Sequence, residues 1–203
     1  MKNILHIDAS ILGENSASRA LTADIVARLQ SLHPDAQVTR RDLIAEPLMH
    51  LSPAHLSVFQ GGQAASDEIA RDVAAGSACI DELFAADAVV IGAPMYNFSV
   101  PSQLKAWFDR VSVAGRTFRY TATGFEGLVL GKKVYVASTR GGLHSAGNPS
   151  AHMDHQETYV LSQLGFLGMS KVTVIRAEGL ALGDAAKADA LAQARAKVQA
   201  LMA

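Results

Sequence analysis

Three short stretches hold the residues whose types and spacing suit ligand chemistry. The first is Ser10-Ile11-Leu12-Gly13-Glu14-Asn15-Ser16-Ala17-Ser18-Arg19, with serine hydroxyls just ahead of a helical pattern. Hydroxyls and the free amides of a helix start together suit a phosphate, with Arg19 as the nearby cation. The same serines suit plain N-capping, and the residues alone leave both readings open. The second stretch, Pro94-Met95-Tyr96-Asn97-Phe98-Ser99-Val100-Pro101, sets a thioether, two aromatic rings and an amide between two prolines. A flat, π-rich ligand could be covered by the Met and the rings and addressed at its edge by Asn97 and backbone amides. A hydrophobic loop closing the core is the plainer alternative. The third, Ser138-Thr139-Arg140-Gly141-Gly142-Leu143-His144, carries paired glycines that permit close backbone approach or positive φ. Taken alone it also reads as an ordinary turn.

Other candidates carry less. The chain has no GxGxxG dinucleotide fingerprint, no GxxxxGK[ST] phosphate loop and no Gly-x-Ser-x-Gly elbow. His152-Met153-Asp154-His155 pairs two histidines but lacks further ligands at metal-site spacing, so no metal is expected. His6 reads as a strand residue near the core, and Cys79 as a small buried hydrophobe. Trp107 and Phe108, at helical spacing with Leu104, read as core or interface residues before catalytic ones.

These stretches need elements to position them. Apolar, β-rich runs at 3–7, 37–39, 88–93, 133–137 and 172–176 alternate with helical patterns. The run 88–93 is apolar throughout, as a central strand buried on both faces must be. Leu21, Ile25, Leu29 and Leu32 predict an amphipathic helix over 17–32, ended by His33-Pro34. Pro101 suits a helix first turn, with Leu104, Trp107, Phe108 and Val111 as its apolar stripe. The stretch 46–83 reads as helical with a break at Gly61-Gly62, and 184–202 has a helix composition. The expected fold is therefore α/β: one domain over 1–203 with a five-stranded, doubly wound parallel sheet. In such sheets ligands bind beyond the C-terminal strand ends, where all three stretches fall.

Composition narrows the partners. Eighteen Lys+Arg against nineteen Asp+Glu leave a net charge of −1, which offers no concentrated basic face to nucleic acid and no polybasic segment to a membrane. No apolar run approaches a membrane span, and the run at 3–7, broken by His6 and Asp8, is too short for a secretory core. A lone cysteine excludes an internal disulfide and fits a reducing, cytoplasmic compartment.

The three stretches, with Pro-Ser-Gln-Leu-Lys-Ala-Trp-Phe-Asp at 101–109, Gly115-Arg116-Thr117-Phe118-Arg119-Tyr120, Gly127-Leu128, Gly131-Lys132-Lys133 and Leu164-Gly165-Phe166, form a longer pattern. It resembles the FMN-dependent NADH azoreductase and NADH:quinone oxidoreductase family, which has the flavodoxin-like fold. The likeness covers nearly the whole chain, and the block 94–120 is its specific part.

The resemblance implies FMN as cofactor and NADH as electron donor, with hydride passed in ping-pong fashion to quinones. Aromatic azo compounds would be cleaved to amines in two such rounds. It places Ser10, Ser16, Ala17 and Ser18 at the FMN phosphate. It places Met95, Tyr96, Asn97 and Phe98 along the isoalloxazine, with the Asn97 amide near flavin N5. Thr139, Arg140, Gly141 and Gly142 fall at the pyrimidine end, where amide dipoles can stabilise negative charge. His144 and Tyr120 become substrate-facing residues, Tyr120 at the interface of a homodimer. The flavin carries the chemistry, so no catalytic side chain is expected. Two positions depart from the pattern: Thr139 replaces a serine but keeps the hydroxyl, and Gln163 stands where some members have an aromatic. A flavodoxin-like electron carrier is the competing reading, but such carriers are usually strongly acidic, unlike this chain.

Overall fold

The computed structural model describes residues 1–202. Five parallel strands form the main sheet: β1 (Asn3–Asp8), β2 (Gln37–Asp42), β3 (Ala88–Pro94), β6 (Lys133–Thr139) and β7 (Lys171–Ala177). Their order is β2-β1-β3-β6-β7. The winding therefore reverses between β1 and β3, which opens a crevice beyond their C-terminal ends. A two-stranded antiparallel hairpin, β4 (Phe118–Thr121) and β5 (Gly124–Gly127), stands apart from this sheet.

Side-chain alternation divides the core between two faces. Leu5, Ile7, Val89, Ile91, Val134 and Val136 face α3 (Asp67–Ala85), α4 (Ser102–Val111) and α5 (Gln156–Phe166). Ile4, Val90, Tyr135, Ala137 and Ile175 face α1 (Ala17–Leu32) and α6 (Asp184–Gln199). Every residue of β3 is buried, as its unbroken apolar run requires. The expected stripe of α4 is buried too: Leu104, Trp107, Phe108 and Val111 pack beneath the sheet.

Some boundaries differ from the sequence reading. The helical stretch 46–83 resolves into α2 (Pro53–Phe59) and α3, separated where Gly61 takes a φ of +92°. Pro101 is the N-cap of α4 rather than part of its first turn, and the last helix stops at Gln199. The sequence reading assigned neither the hairpin nor α5. Their contact is aromatic: the Phe166 ring lies 4.4 Å from that of Phe118 and 4.9 Å from that of Phe125.

The hairpin also meets the loop after α5 backbone to backbone. A Cβ added to Gly127 would lie 2.1 Å from the Gly168 nitrogen, so the glycine is required by space. Gly127→Ala is expected to destabilise the protein by roughly 2 kcal/mol or more, measured by urea unfolding, because backbone cannot give way as a side chain can.

Candidate functional site

The loop after β1 is built to present hydroxyls at a helix start. A short 3-10 turn, Gly13–Asn15, delivers the chain to Ser16, the N-cap of α1. The Ser16 hydroxyl accepts the Arg19 amide at 3.2 Å and lies 3.0 Å from the Ser18 hydroxyl. Capping is thus real, and it coexists with ligand capacity. Ser10, Ser16 and Ser18 are all buried, and the first-turn amides of Ala17 and Ser18 have no helical acceptor.

Arg19 plays a different part from the one its position suggested. Its guanidinium grips both Asp42 oxygens at 2.7 and 2.8 Å and donates twice to the Ser10 carbonyl, at 3.1 and 3.0 Å. It fastens the loop to the end of β2 and is not a free cation for a phosphate. The Arg19 hydrogen bonds hold the Asp42 carboxyl down at about 2, and the Ile44 amide, which donates to Asp42 at 3.0 Å, contributes.

The loop after β3 is a tight, left-handed turn. Tyr96 and Ser99 exchange two backbone hydrogen bonds of 2.8 and 3.0 Å. Between them Asn97 and Phe98 adopt φ of +48° and +68°. Consecutive non-glycine residues in this region cost about 1 kcal/mol or more each, and asparagine tolerates it best. The turn leaves the amides of Asn97 and Phe98 without an intramolecular acceptor among the described residues. The Tyr96 hydroxyl bonds to the Ser10 hydroxyl at 3.1 Å and the Ile11 amide at 3.2 Å, locking this loop to the first. The Phe98 ring meets His144 edge-on, with centroids 5.9 Å apart, which brings in the third loop.

In the third loop, the Arg140 side chain turns inward. Its buried guanidinium binds Asp154 at 2.6 Å, Glu157 at 3.0 Å and Glu178 at 3.2 Å, and also meets Ser138 and Gln156. Only the backbone of Arg140 can line the crevice. Glu178 also accepts the His144 amide at 2.9 Å. Burial pushes its carboxyl up, but the Ser145 hydroxyl, the His144 amide and Arg140 outweigh that and hold it below its usual range. Sequence reading missed Asp154, Gln156, Glu157 and Glu178 as supports, since polar and acidic residues scattered between positions 154 and 178 carry no local pattern. Asp154 was in view only as part of the histidine pair.

Gly141 and Gly142 show no positive φ, so their role is close approach. A Cβ on Gly142 would lie 3.0 Å from His144 Nε2, and neither glycine's amide has an intramolecular acceptor among the described residues. His144 is itself mostly buried, with Nδ1 3.1 Å from the Ser150 carbonyl. Tyr120 lies elsewhere, on the β4–β5 hairpin, and is 77% exposed. Gln163 is half-buried on α5. Met95 continues the β3–β6 pairing through its amide, which bonds to the Thr139 carbonyl at 2.7 Å.

These features suit FMN. Buried hydroxyls and a helix start serve a phosphate, and four unpaired amides on two facing loops serve the polar edge of a flat ring. Two cavities flank the Ser10–Tyr96 bridge. One of about 540 Å³ is bounded by Ile11, Tyr96, Asn97, Lys105 and Tyr159, the other of about 620 Å³ by Ser10, Gly13, Arg19, Arg40 and Asp42.

Residues 2–202 match a protein family described by its flavodoxin-like fold. The chain belongs to that family. FMN-dependent NADH:quinone oxidoreductases are similar to this chain over almost their whole length. One from Sinorhizobium fredii is 55% identical over 192 residues, covering 95% of this chain and 93% of the relative. Another, from Azospirillum brasilense, is 52% identical over 200 residues, covering 98% and 96%. An azoreductase from Bacillus anthracis has a similar crystal structure, with a TM-score of 0.85 at 26% identity, covering 99% of this chain and all of that one. A second structure from that organism, an FMN-dependent NADH-azoreductase in complex with FMN, has a TM-score of 0.87; at 24% identity it speaks for the fold alone.

The Arg19–Asp42 clamp makes an acid-sensitivity prediction. Asp42 titrates at about 2 in the folded chain and at about 3.9 when unfolded, so its contribution is complete above about pH 4 and fades as pH falls toward 2. Because Asp42 is partly exposed, screening keeps that contribution to about 1 kcal/mol. Urea titrations at about pH 5 and pH 2.5 should show a smaller loss on acidification in Asp42→Asn than in the parent.

Proposed function

We propose that this chain is an FMN-dependent NADH:quinone oxidoreductase whose FMN lies across the β1/β3 crevice. The observation that carries the proposal is the set of unpaired amides of Asn97, Phe98, Gly141 and Gly142 on two loops locked together at the switch point. Bound FMN would supply the two-electron chemistry between NADH and the acceptor.

The chain's own residues bind and orient. The Ser10, Ser16 and Ser18 hydroxyls and the Ala17 and Ser18 amides hold the phosphate, through dipoles rather than a side-chain cation. Met95, Tyr96, Asn97 and Phe98 cover and edge the ring, and the Asn97 amide donates at its reactive nitrogen. Thr139 and the Arg140, Gly141 and Gly142 backbone sit at the pyrimidine end, with the free Gly141 and Gly142 amides aimed where negative charge develops. Arg140 and Glu178 set that backbone without touching the ligand. His144, wedged between Gly142 and Phe98, borders the acceptor, and Gln163 tunes acceptor range. Azo compounds are taken as secondary acceptors, two reductive rounds yielding two amines.

The working form is a homodimer. Tyr120 and Phe125 are 77% and 58% exposed on the hairpin, an aromatic surface that a second copy would cover, setting Tyr120 beside the acceptor cavity. Among the described residues no helix is long and apolar enough to cross a membrane. We assign the enzyme to the cytoplasm on its lone, buried cysteine, and assign it no nucleic-acid or membrane partner on its charge of −1.

Stopped-flow mixing of FMN-loaded protein with NADH should bleach the flavin band, and a quinone should restore it. Failure to bleach would leave an electron carrier instead. The positive φ at Asn97 supplies a sharper test of the turn. Asn97→Gly relieves strain and keeps the amide, so it should retain near-parental reduction, whereas Asn97→Val should slow it by about tenfold or more, as a β-branched residue resists this conformation. Sedimentation at micromolar concentration should give twice the 21.4 kDa chain mass.

A further inference from the structure

Away from the crevice, α2, α3 and α4 enclose a cavity of about 270 Å³ whose walls include Val58, Phe59, Val73, Ile80 and Val113. Arg110, fully buried on α4, also lines it. One guanidinium nitrogen is accounted for: Nη2 lies 3.0 Å from the Asp72 carbonyl and 3.0 Å from its carboxylate. Asp72 is in turn 3.0 Å from the buried His55 ring, whose other nitrogen meets the Ser52 hydroxyl at 2.7 Å. The remaining Arg110 nitrogens, Nε and Nη1, are buried with no hydrogen-bond partner among the described residues.

The glycine opposite gives these donors room. Gly76 sits inside α3, where glycine is less favourable than alanine, and it has no positive φ to justify it. A Cβ there would stand 3.2 Å from both Nε and Nη2 of Arg110. Gly76 also lines the cavity, so the missing side chain keeps the guanidinium uncovered toward it. At the rim a second guanidinium, Arg116, is held by Ser77 at 2.7 Å and Asp81 at 3.0 Å.

We propose that this cavity is a binding site for a small aromatic monocarboxylate, its carboxylate accepting from Arg110 and its ring lying among the apolar walls. Orphaned buried donors on a charged group call for an acceptor, since leaving them unmade costs more than an ordinary hydrogen bond returns. The walls fix the rest of the ligand as apolar. Arg110 is paired with Asp72 and Arg116 with Asp81, so the site lacks the surplus positive charge a phosphate dianion needs. The volume lies just under the range for drug-sized ligands, which suits a single ring. Burial also holds the Arg110 guanidinium below its usual range against the pull of Asp72, a strain that a carboxylate would relieve.

The test titrates FMN-loaded protein with benzoate, benzamide and inorganic phosphate, by calorimetry and by NMR of the Arg110 Nε–H resonance. Benzoate should bind saturably and shift that resonance, while the neutral amide and phosphate should not. Gly76→Ala, which crowds Nε and favours the helix, should weaken benzoate by about tenfold or more, the loss expected for a prevented charge-assisted hydrogen bond. Gly76→Leu, which fills the space, should abolish binding, and both variants should keep parental NADH–quinone turnover. Absence of saturable binding would mean that the cavity holds solvent only and would overturn the proposal. So would benzoate binding that survives both variants or is displaced by quinone, which would place it in the crevice.

Discussion

The rest of the structure depends on a strand with no polar side. All seven residues of β3 are buried, with Val89 and Ile91 facing one layer of helices and Val90 the other. Nothing along such a strand can meet a ligand, so chemistry is pushed to its end, where Pro94 gives way to the Met95–Phe98 turn. The neighbouring strands obey the same rule, and the buried polar residues of β1 and β6 gather toward their C-terminal halves: Asp8 after Ile7, Ser138 and Thr139 after Ala137. Three loops meet there because three buried strands end there.

Positive charge in this protein serves as scaffolding. Arg19 ties the first loop to β2, Arg140 ties the third to α5 and to the segment after β7, and Arg110 links α4 to α3 through Asp72. Arg19 and Arg140 meet several carboxylates and carbonyls each, as a charge withdrawn from water must, whereas Arg110 is matched only through Asp72. The consequence at the crevice is that a bound anion meets amides, hydroxyls and a helix start. Such fixed dipoles need no rearrangement when charge develops on a ligand, which suits a site where a ring changes charge during turnover.

Backbone strain is concentrated at the same place. Asn97 and Phe98 are the non-glycine residues with positive φ among the described residues, and they sit side by side. The turn is held by the Tyr96–Ser99 hydrogen bonds, by Tyr96 against Ser10 and by Phe98 against His144. Its cost is offset by the surrounding contacts, and the result is two donors presented outward with no competing acceptor.

Sequence alone determined the layered sheet, the burial of 88–93 and the stripe of α4, because strand and helix periodicities are local and each apolar run shows its own burial. It also marked out the three loops, since serines, aromatics and glycines at strand ends are local signals, and the long 94–120 block carried the family likeness. Tertiary structure alone decided what those residues do. That Arg19 and Arg140 are supports, that Gly141 and Gly142 serve close approach rather than positive φ, and that Asp154, Glu157 and Glu178 matter at all follow from contacts between segments far apart in the chain. The Arg110 cavity escaped for the same reason. Charge pairing, free amides and voids depend on which distant groups arrive, and no spacing along the chain records that.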